Sequence, residues 1–228
     1  MTYLGFPVRM KQNFRKMTAQ WWFVPVVLLL ISLFIPLQFS HKPFTLTLVK
    51  TIPVGQEPLG LTLSPDFSRL YVANAQSGTI SIIDTTSQSV VKTLSVNPYG
   101  RLNSVIVSPE GRTLYVSDAK SGNVEVFRLP EGQRIRTIPV RLFPQRMAFS
   151  KDNAHLYVVN SASNNISVID TVKHTLLTNI PVNERPYAIV IAPDNRLAYV
   201  TSSQTHSITI VDLESQKTGE TIVLETMS

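Results

Sequence analysis

The 228-residue sequence predicts an all-β fold, and three observations carry the prediction. The first is a long period: Tyr71, Tyr115, Tyr157 and Tyr199 recur at spacings of 44, 42 and 42 residues, and "RLYVANAQSGTISIID" at 69–84 returns as "HLYVVNSASNNISVID" at 155–170. The second is alternation of apolar and polar residues within each period, with Val, Ile, Thr and Tyr abundant. The third is punctuation: the joints carry Asn, Asp, Ser, Gly and Pro, as tight turns require. Each period holds four strand signals. A four-stranded antiparallel unit of this length is a propeller blade. The fold class is therefore a β-propeller of about four blades, preceded by one N-terminal apolar helix.

The N-terminal region has its own character. Residues 1–18 are basic; Arg9, Lys11, Arg15 and Lys16 supply four of the net charge of +6, and no acidic residue precedes Glu57. Residues 19–38 contain "WWFVPVVLLLISLFIPL", long enough at its lower limit to cross a bilayer as a helix. The preceding positive charge places the N-terminus in the cytoplasm and exports the rest of the chain. Two readings stay open: an uncleaved signal anchor, favoured because "PLQFSHK" lacks a small-residue cleavage pattern, or a cleaved signal peptide. Residues 39–46 form a linker. The expected location is the cytoplasmic membrane, with the propeller on its outer, extracytoplasmic side.

Residues 47–228 are the repeats, with blades near 55–96, 97–140, 141–182 and 183–225. Strand one of the first blade is "GLTLS", strand two "RLYVAN", strand three "TISIID" and strand four "SVVKTLSV". The turn before strand two reads "SPDFSRL", "SPEGRTL", "SKDNAHL" and "APDNRLA"; where Pro holds the second position, its fixed φ suits a type I turn. The strand-four ends "KTLSV", "RTIPV" and "TNIPV" are preceded by one more copy, "TLTLVKTIPV", ahead of the first blade. With "KTGETIVLE" at the end, the expected total is seventeen strands, one more than four blades need. Three arrangements are open: a closed four-bladed ring with a surplus strand, an open half-ring with two bare apolar faces, or a ring completed by a partner. Bare faces favour association, most simply a twofold dimer.

The strand-two sequences "YVAN", "YVSD", "YVVN" and "YVTS", with "IPVG", "SPD" and "ISVID" around them, resemble the YVTN family of β-propeller repeats of exported and surface proteins. The resemblance covers residues 47–224. It implies a closed ring, typically of seven blades, so four units are a departure from it.

Several function classes are excluded or weakened. Without cysteine there are no disulfides, zinc ribbons or thiol catalysis. His41, His155, His174 and His206 show no metal-ligand spacing, so no metal or cofactor is expected. Asp84, Asp170 and Asp212 recur at one repeat position and read as turn-capping residues. The basic excess beyond the N-terminus is too small for a nucleic-acid domain. Arg134 and Arg136 read as charges that protect an outer blade edge. Arg101, Arg141, Arg146 and Arg185, with Glu57 and Glu184, fall in the loops from strand four to the next strand one. Such loops cluster at one end of the central channel, where these residues could hold an anionic ligand, glycan or acidic peptide. The expected function is a membrane-anchored, non-catalytic scaffold that binds a ligand or protein, completing its ring with a partner or a second copy. The alternatives are a subunit of an exported enzyme and a binder of polyanions.

Overall fold

A computed structural model describes residues 47–224. The chain divides into two compact units, 1–48 and 49–228. The basic N-terminus, the apolar span and most of the linker lie outside the described residues. Among the described residues no helix is long and apolar enough to cross a membrane.

The described residues of the second unit are all-β, with sixteen strands in four antiparallel sheets. Blade one comprises β1 (Pro58–Leu63), β2 (Arg69–Asn74), β3 (Thr79–Asp84) and β4 (Ser89–Ser95). Blade two comprises β5 (Leu102–Val107), β6 (Thr113–Asp118), β7 (Asn123–Arg128) and β8 (Gln133–Pro139). Blade three comprises β9 (Pro144–Phe149), β10 (His155–Asn160), β11 (Asn165–Asp170) and β12 (Thr175–Pro181). Blade four comprises β13 (Pro186–Ile191), β14 (Leu197–Ser202), β15 (Ser207–Asp212) and β16 (Lys217–Val223). The strand order in every sheet follows the chain.

One sequence expectation is corrected. The extra strand-four copy forms no strand over its described residues 47–54, where Leu48 and Val49 are exposed. A strand four must pair with a strand three. In blade four that edge of β15 is already taken by β16, so the seventeenth strand has no slot there.

Turn chemistry repeats as the sequence suggests. The Ser64 hydroxyl donates to Asp66 at 2.5 Å and accepts from the Arg69 N–H at 2.9 Å. Ser108 and Ser150 accept from Thr113 and His155 in the same way, at 3.0 and 2.9 Å. The hydrogen bond from Ser64 holds the Asp66 carboxyl down at about 2. Asp84, Asp170 and Asp212 accept backbone N–H bonds from residues two or three further on, at 2.7 to 3.1 Å. They are turn caps. Gly78 takes φ +63°, and a Cβ there would lie 1.8 Å from the Asn97 carbonyl, so only glycine fits the β2–β3 turn.

Every blade has two unlike faces. The tyrosine face of blade one carries Tyr71, Ala73, Ile80, Ile82 and Leu94, all buried against blade two. Blade two presents Tyr115, Val124, Val126 and Ile138 to Met147, Leu156 and Val158 of blade three. Blade three presents Tyr157, Val159, Ile166 and Ile180 to Ile189, Ala198 and Val200 of blade four. The inner strands approach closely: a Cβ on Gly60 of β1 would meet the Ser104 backbone of β5 at 2.9 Å. Contact among the described residues runs from β1 to β5, β5 to β9 and β9 to β13, with no comparable contact returning from blade four to blade one. The blades therefore form an open arc.

The middle interface has a polar contact as well. The Tyr115 hydroxyl lies 3.0 Å from Nδ1 of His174 and 3.3 Å from the Thr171 carbonyl. His174 sits in the β11–β12 turn, but its half-buried ring packs on blade two rather than standing in solvent. Burial, and then the nearby Arg136 charge, lower the His174 pKa below the ordinary imidazole value.

The packing can be tested in two ways. Leu156→Ala opens a cavity between blades two and three and should cost about 2–5 kcal/mol in urea unfolding, whereas Val172→Ala, in an exposed turn, should stay within about 0.5 kcal/mol. The unfolded chain protonates His174 more readily than the folded one, so its contribution to stability is lost as pH falls through about 6.5 toward the lower folded value. His174→Gln should therefore lose less thermal stability between pH 7.5 and 5.5 than the parent; an equal loss would contradict this.

Candidate functional site

The inner end of the arc is assembled by a repeated backbone bond. Glu57, Arg101, Phe143 and Arg185 each sit one residue before a first strand. Their carbonyls accept from the N–H groups of Ala75, Ala119, Ser161 and Ser203, each just past the end of strand two, at 2.7 to 3.1 Å. This ties every incoming loop to its own blade. Glu57, Phe143 and Arg185 are held at φ 53°, 60° and 49°, a left-handed conformation that non-glycine residues rarely adopt. The same conformation recurs in turns elsewhere in the repeats, at Phe67, Gln88 and Asn195 among others, so here it marks a tight turn held by the repeated backbone bond.

Arg101 has a regular conformation because its loop is anchored differently. Its N–H donates to the buried Asp118 carboxylate at 2.8 Å, and Asn97 donates to the other oxygen at 2.7 Å. Burial alone would raise the Asp118 pKa; these bonds outweigh it and hold the carboxyl below the usual range. At the same repeat position, Asn74 and Asn160 instead donate to Ser81 and Ser167 across the sheet, at 3.0 and 2.8 Å. The side-chain oxygens of Asn74 and Asn160 are buried without a hydrogen-bond partner.

The sequence-selected residues divide among three clefts. Arg101 and Arg146 share an inner cleft of about 350 Å³, lined also by Leu59, Asn103, Gln145 and Tyr187. Glu184 and Arg185 lie on an adjoining cleft of about 590 Å³, which shares Phe143, Gln145 and Tyr187 with the first. Glu57 and Arg101 meet in an ion pair of 2.7 Å beside a third cleft of about 460 Å³. Arg141 is exposed and lines none of these three. Arg146 is not in a loop, as the sequence suggested: it is the third residue of β9. The loop ends at Phe143, because Pro144 already pairs with Asn160 of β10.

The inner cleft has a simple construction. Leu59, Asn103, Gln145 and Tyr187 are the second residue of β1, β5, β9 and β13, so one register position of all four blades faces it. Asn103 donates to Gln145 at 3.0 Å and to the Pro144 carbonyl at 3.3 Å, which joins blades two and three. The Arg146 guanidinium stands 6.0 Å from the centre of the Tyr187 ring, within cation–π range. Chemically the cleft offers the Arg146 guanidinium and the Gln145 amide beside an aromatic ring, a set suited to carboxylate, sulfate or phosphate groups, while Asn103 and Arg101 already donate to Gln145, Pro144 and Glu57. Sequence reasoning missed Asn103, Gln145 and Tyr187. The signal was present: aligned on the strand-two tyrosine, these residues share one column with Leu59. Arg134, read as an edge charge, does more: it donates to the Val96 carbonyl of blade one and lies 5.4 Å from the centre of the Phe127 ring. Among the described residues no cluster of three or more His, Asp or Glu side chains could hold a metal ion.

Comparison with known proteins agrees with this architecture. Residues 91–186 match the family model described as lactonase, 7-bladed beta-propeller. That is 96 of 228 residues (186 − 91 + 1), fewer than half. No curated protein sequence matches. Among solved structures, hydrazine synthase of Kuenenia stuttgartiensis is 25% identical, with TM-score 0.71 over 80% of this chain and 53% of that one. A functionally unknown protein of Desulfotomaculum acetoxidans is 17% identical, with TM-score 0.64 over 76% and 58%. A candidate 6-phosphogluconolactonase of Bacteroides uniformis is 16% identical, with TM-score 0.65 over 74% and 55%. The chain spans little more than half the length of these structures. The described residues are four blades of a β-propeller.

Proposed function

We propose that this chain is a membrane-anchored propeller of the extracytoplasmic side that works as a binding scaffold, and that its inner cleft takes an anionic group on an acidic peptide or glycan. The observation that carries the ligand reading is the inner cleft itself, where the Arg146 guanidinium stands beside Tyr187 and Gln145, with Arg101 at the rim in its pair with Glu57. Binding there needs no chemistry on the ligand, only donors fixed by the strands. The "YV" strand-two pattern of the exported YVTN repeats, and the basic-then-apolar residues 1–38, support the location. A second reading is an enzyme or enzyme subunit. It is favoured by the match of residues 91–186 to the lactonase model and by the likeness to hydrazine synthase.

The ligand reading is tested by calorimetric titration of the detergent-purified full chain with poly-L-glutamate. The parent should bind with an affinity that falls as salt rises. Arg146→Ala should weaken binding by at least about tenfold, the loss of one charge-assisted contact, while Arg141→Ala should not. No binding, or equal loss in both variants, would overturn it. Acid release from a simple lactone in the same preparation, abolished by substitution in the inner cleft, would favour the enzyme reading instead. The location is tested separately: protease added to intact spheroplasts should degrade the blades, and protection of the blades would contradict it.

A further inference from the structure

The two ends of the arc are unlike, and each resembles what the other end lacks. Leu61 of β1 is the repeat equivalent of Val105, Met147 and Ile189. Those three are 4%, 8% and 6% exposed, each buried by the blade before it, whereas Leu61 is 68% exposed. At the far end, Ile222 of β16 is the equivalent of Leu94, Ile138 and Ile180. Those are buried by the next blade along the chain, whereas Ile222 is 47% exposed. Tyr199, Ile208 and Ile210 stand where other blades bury a tyrosine and two aliphatic residues, and they are only half-buried. Among the described residues, blade four therefore shows a tyrosine face that no blade covers, and blade one the matching face left uncovered.

We infer that a second copy of this chain covers both faces, blade four of each copy packing on blade one of the other, so that two four-bladed arcs close into one eight-bladed ring with its twofold axis along the centre. The contact proposed is one the chain already makes three times within itself, between blades one and two, two and three, and three and four. The required side chains are in place on both sides. In the existing interface Gly60 lies against the backbone of Asn103, Ser104 and Val105. Its equivalents Ser104 and Arg146 carry side chains at the other two interfaces, so Ala188 would sit against Leu59, Gly60 and Leu61 of the second copy at their wider spacing, with Val190 beside Leu61. Eight blades is within the range that propellers adopt. Each interface need turn only slightly less than in the seven-bladed rings whose family model the chain matches. A head-to-tail contact either closes or grows without end, and twofold closure leaves no bare face. The inference rests on the blade faces alone, so the ligand reading stands or falls separately.

The chain has no cysteine, which allows a direct test on the full chain in detergent. Its protein mass should be twice 25.5 kDa. The double variant Leu61→Cys, Val190→Cys should form a covalent dimer under mild oxidation, and neither single variant should. Under reducing conditions the variants should still unfold in one cooperative transition, with a midpoint no higher than the parent's, because both positions lie in the proposed contact. Leu61→Asp should reduce the mass to that of one chain. A monomeric parent, a disulfide within one chain, a ladder of higher species, or self-linking by a single variant would each overturn the proposal. They would indicate a partner of another kind, a self-closed ring, an open filament and a face-to-face dimer respectively.

Discussion

Burial of one blade's tyrosine face on the next blade's inner strands is the interaction on which the rest of this structure depends. A single four-stranded sheet cannot hide both faces, and no disulfide is available to replace the missing burial. Tyr115 shows how the contact works. Its ring lies edge-on to Phe149 at 5.7 Å, and its hydroxyl reaches the Thr171–His174 turn. Apolar area supplies the driving force, and the hydroxyl finds a partner at the rim instead of being stranded. Repeating this contact makes stability approximately a sum of neighbour terms, as in other repeat arrays.

The same constraint frees the candidate site. Residues on the blade faces are mostly apolar, with a few buried hydroxyls such as Ser117 that bond across to the next blade, whereas the second position of each inner strand faces the cleft. That position holds Leu59, Asn103, Gln145 and Tyr187 in turn, four different chemistries on one backbone geometry. The loops beside it are fixed by the repeated bond from the residue after strand two to the carbonyl before strand one. A rigid frame with chemically variable positions is what a binding surface needs, because little ordering cost remains when a ligand arrives.

Much of this was legible in the sequence, and the failures have physical causes. The tyrosine column and the Ser-Asp turns were legible because each is a local device that returns at one period. Asp84, Asp170 and Asp212 were readable as caps for the same reason. Arg146 was misplaced because "RLFPQR" lacks clear alternation, and only the pairing of Pro144 with Asn160 shows that β9 has begun. The extra strand-four copy failed because strand propensity does not make a strand; a free sheet edge does. The ion pair of Arg101 with Glu57 joins residues 44 apart, beyond the reach of any local pattern.

By itself the sequence determined the blade: its four strands, its turns and the alternation that gives it two apolar faces. These arise from spacing and residue type, and they act over a few residues. Only the tertiary structure decided how the blades are joined, because that depends on side chains meeting across distances the period does not encode. It showed that the arc stays open among the described residues, that Leu61 and Ile222 are left bare where their equivalents are buried, and that one register position of all four blades forms the inner cleft.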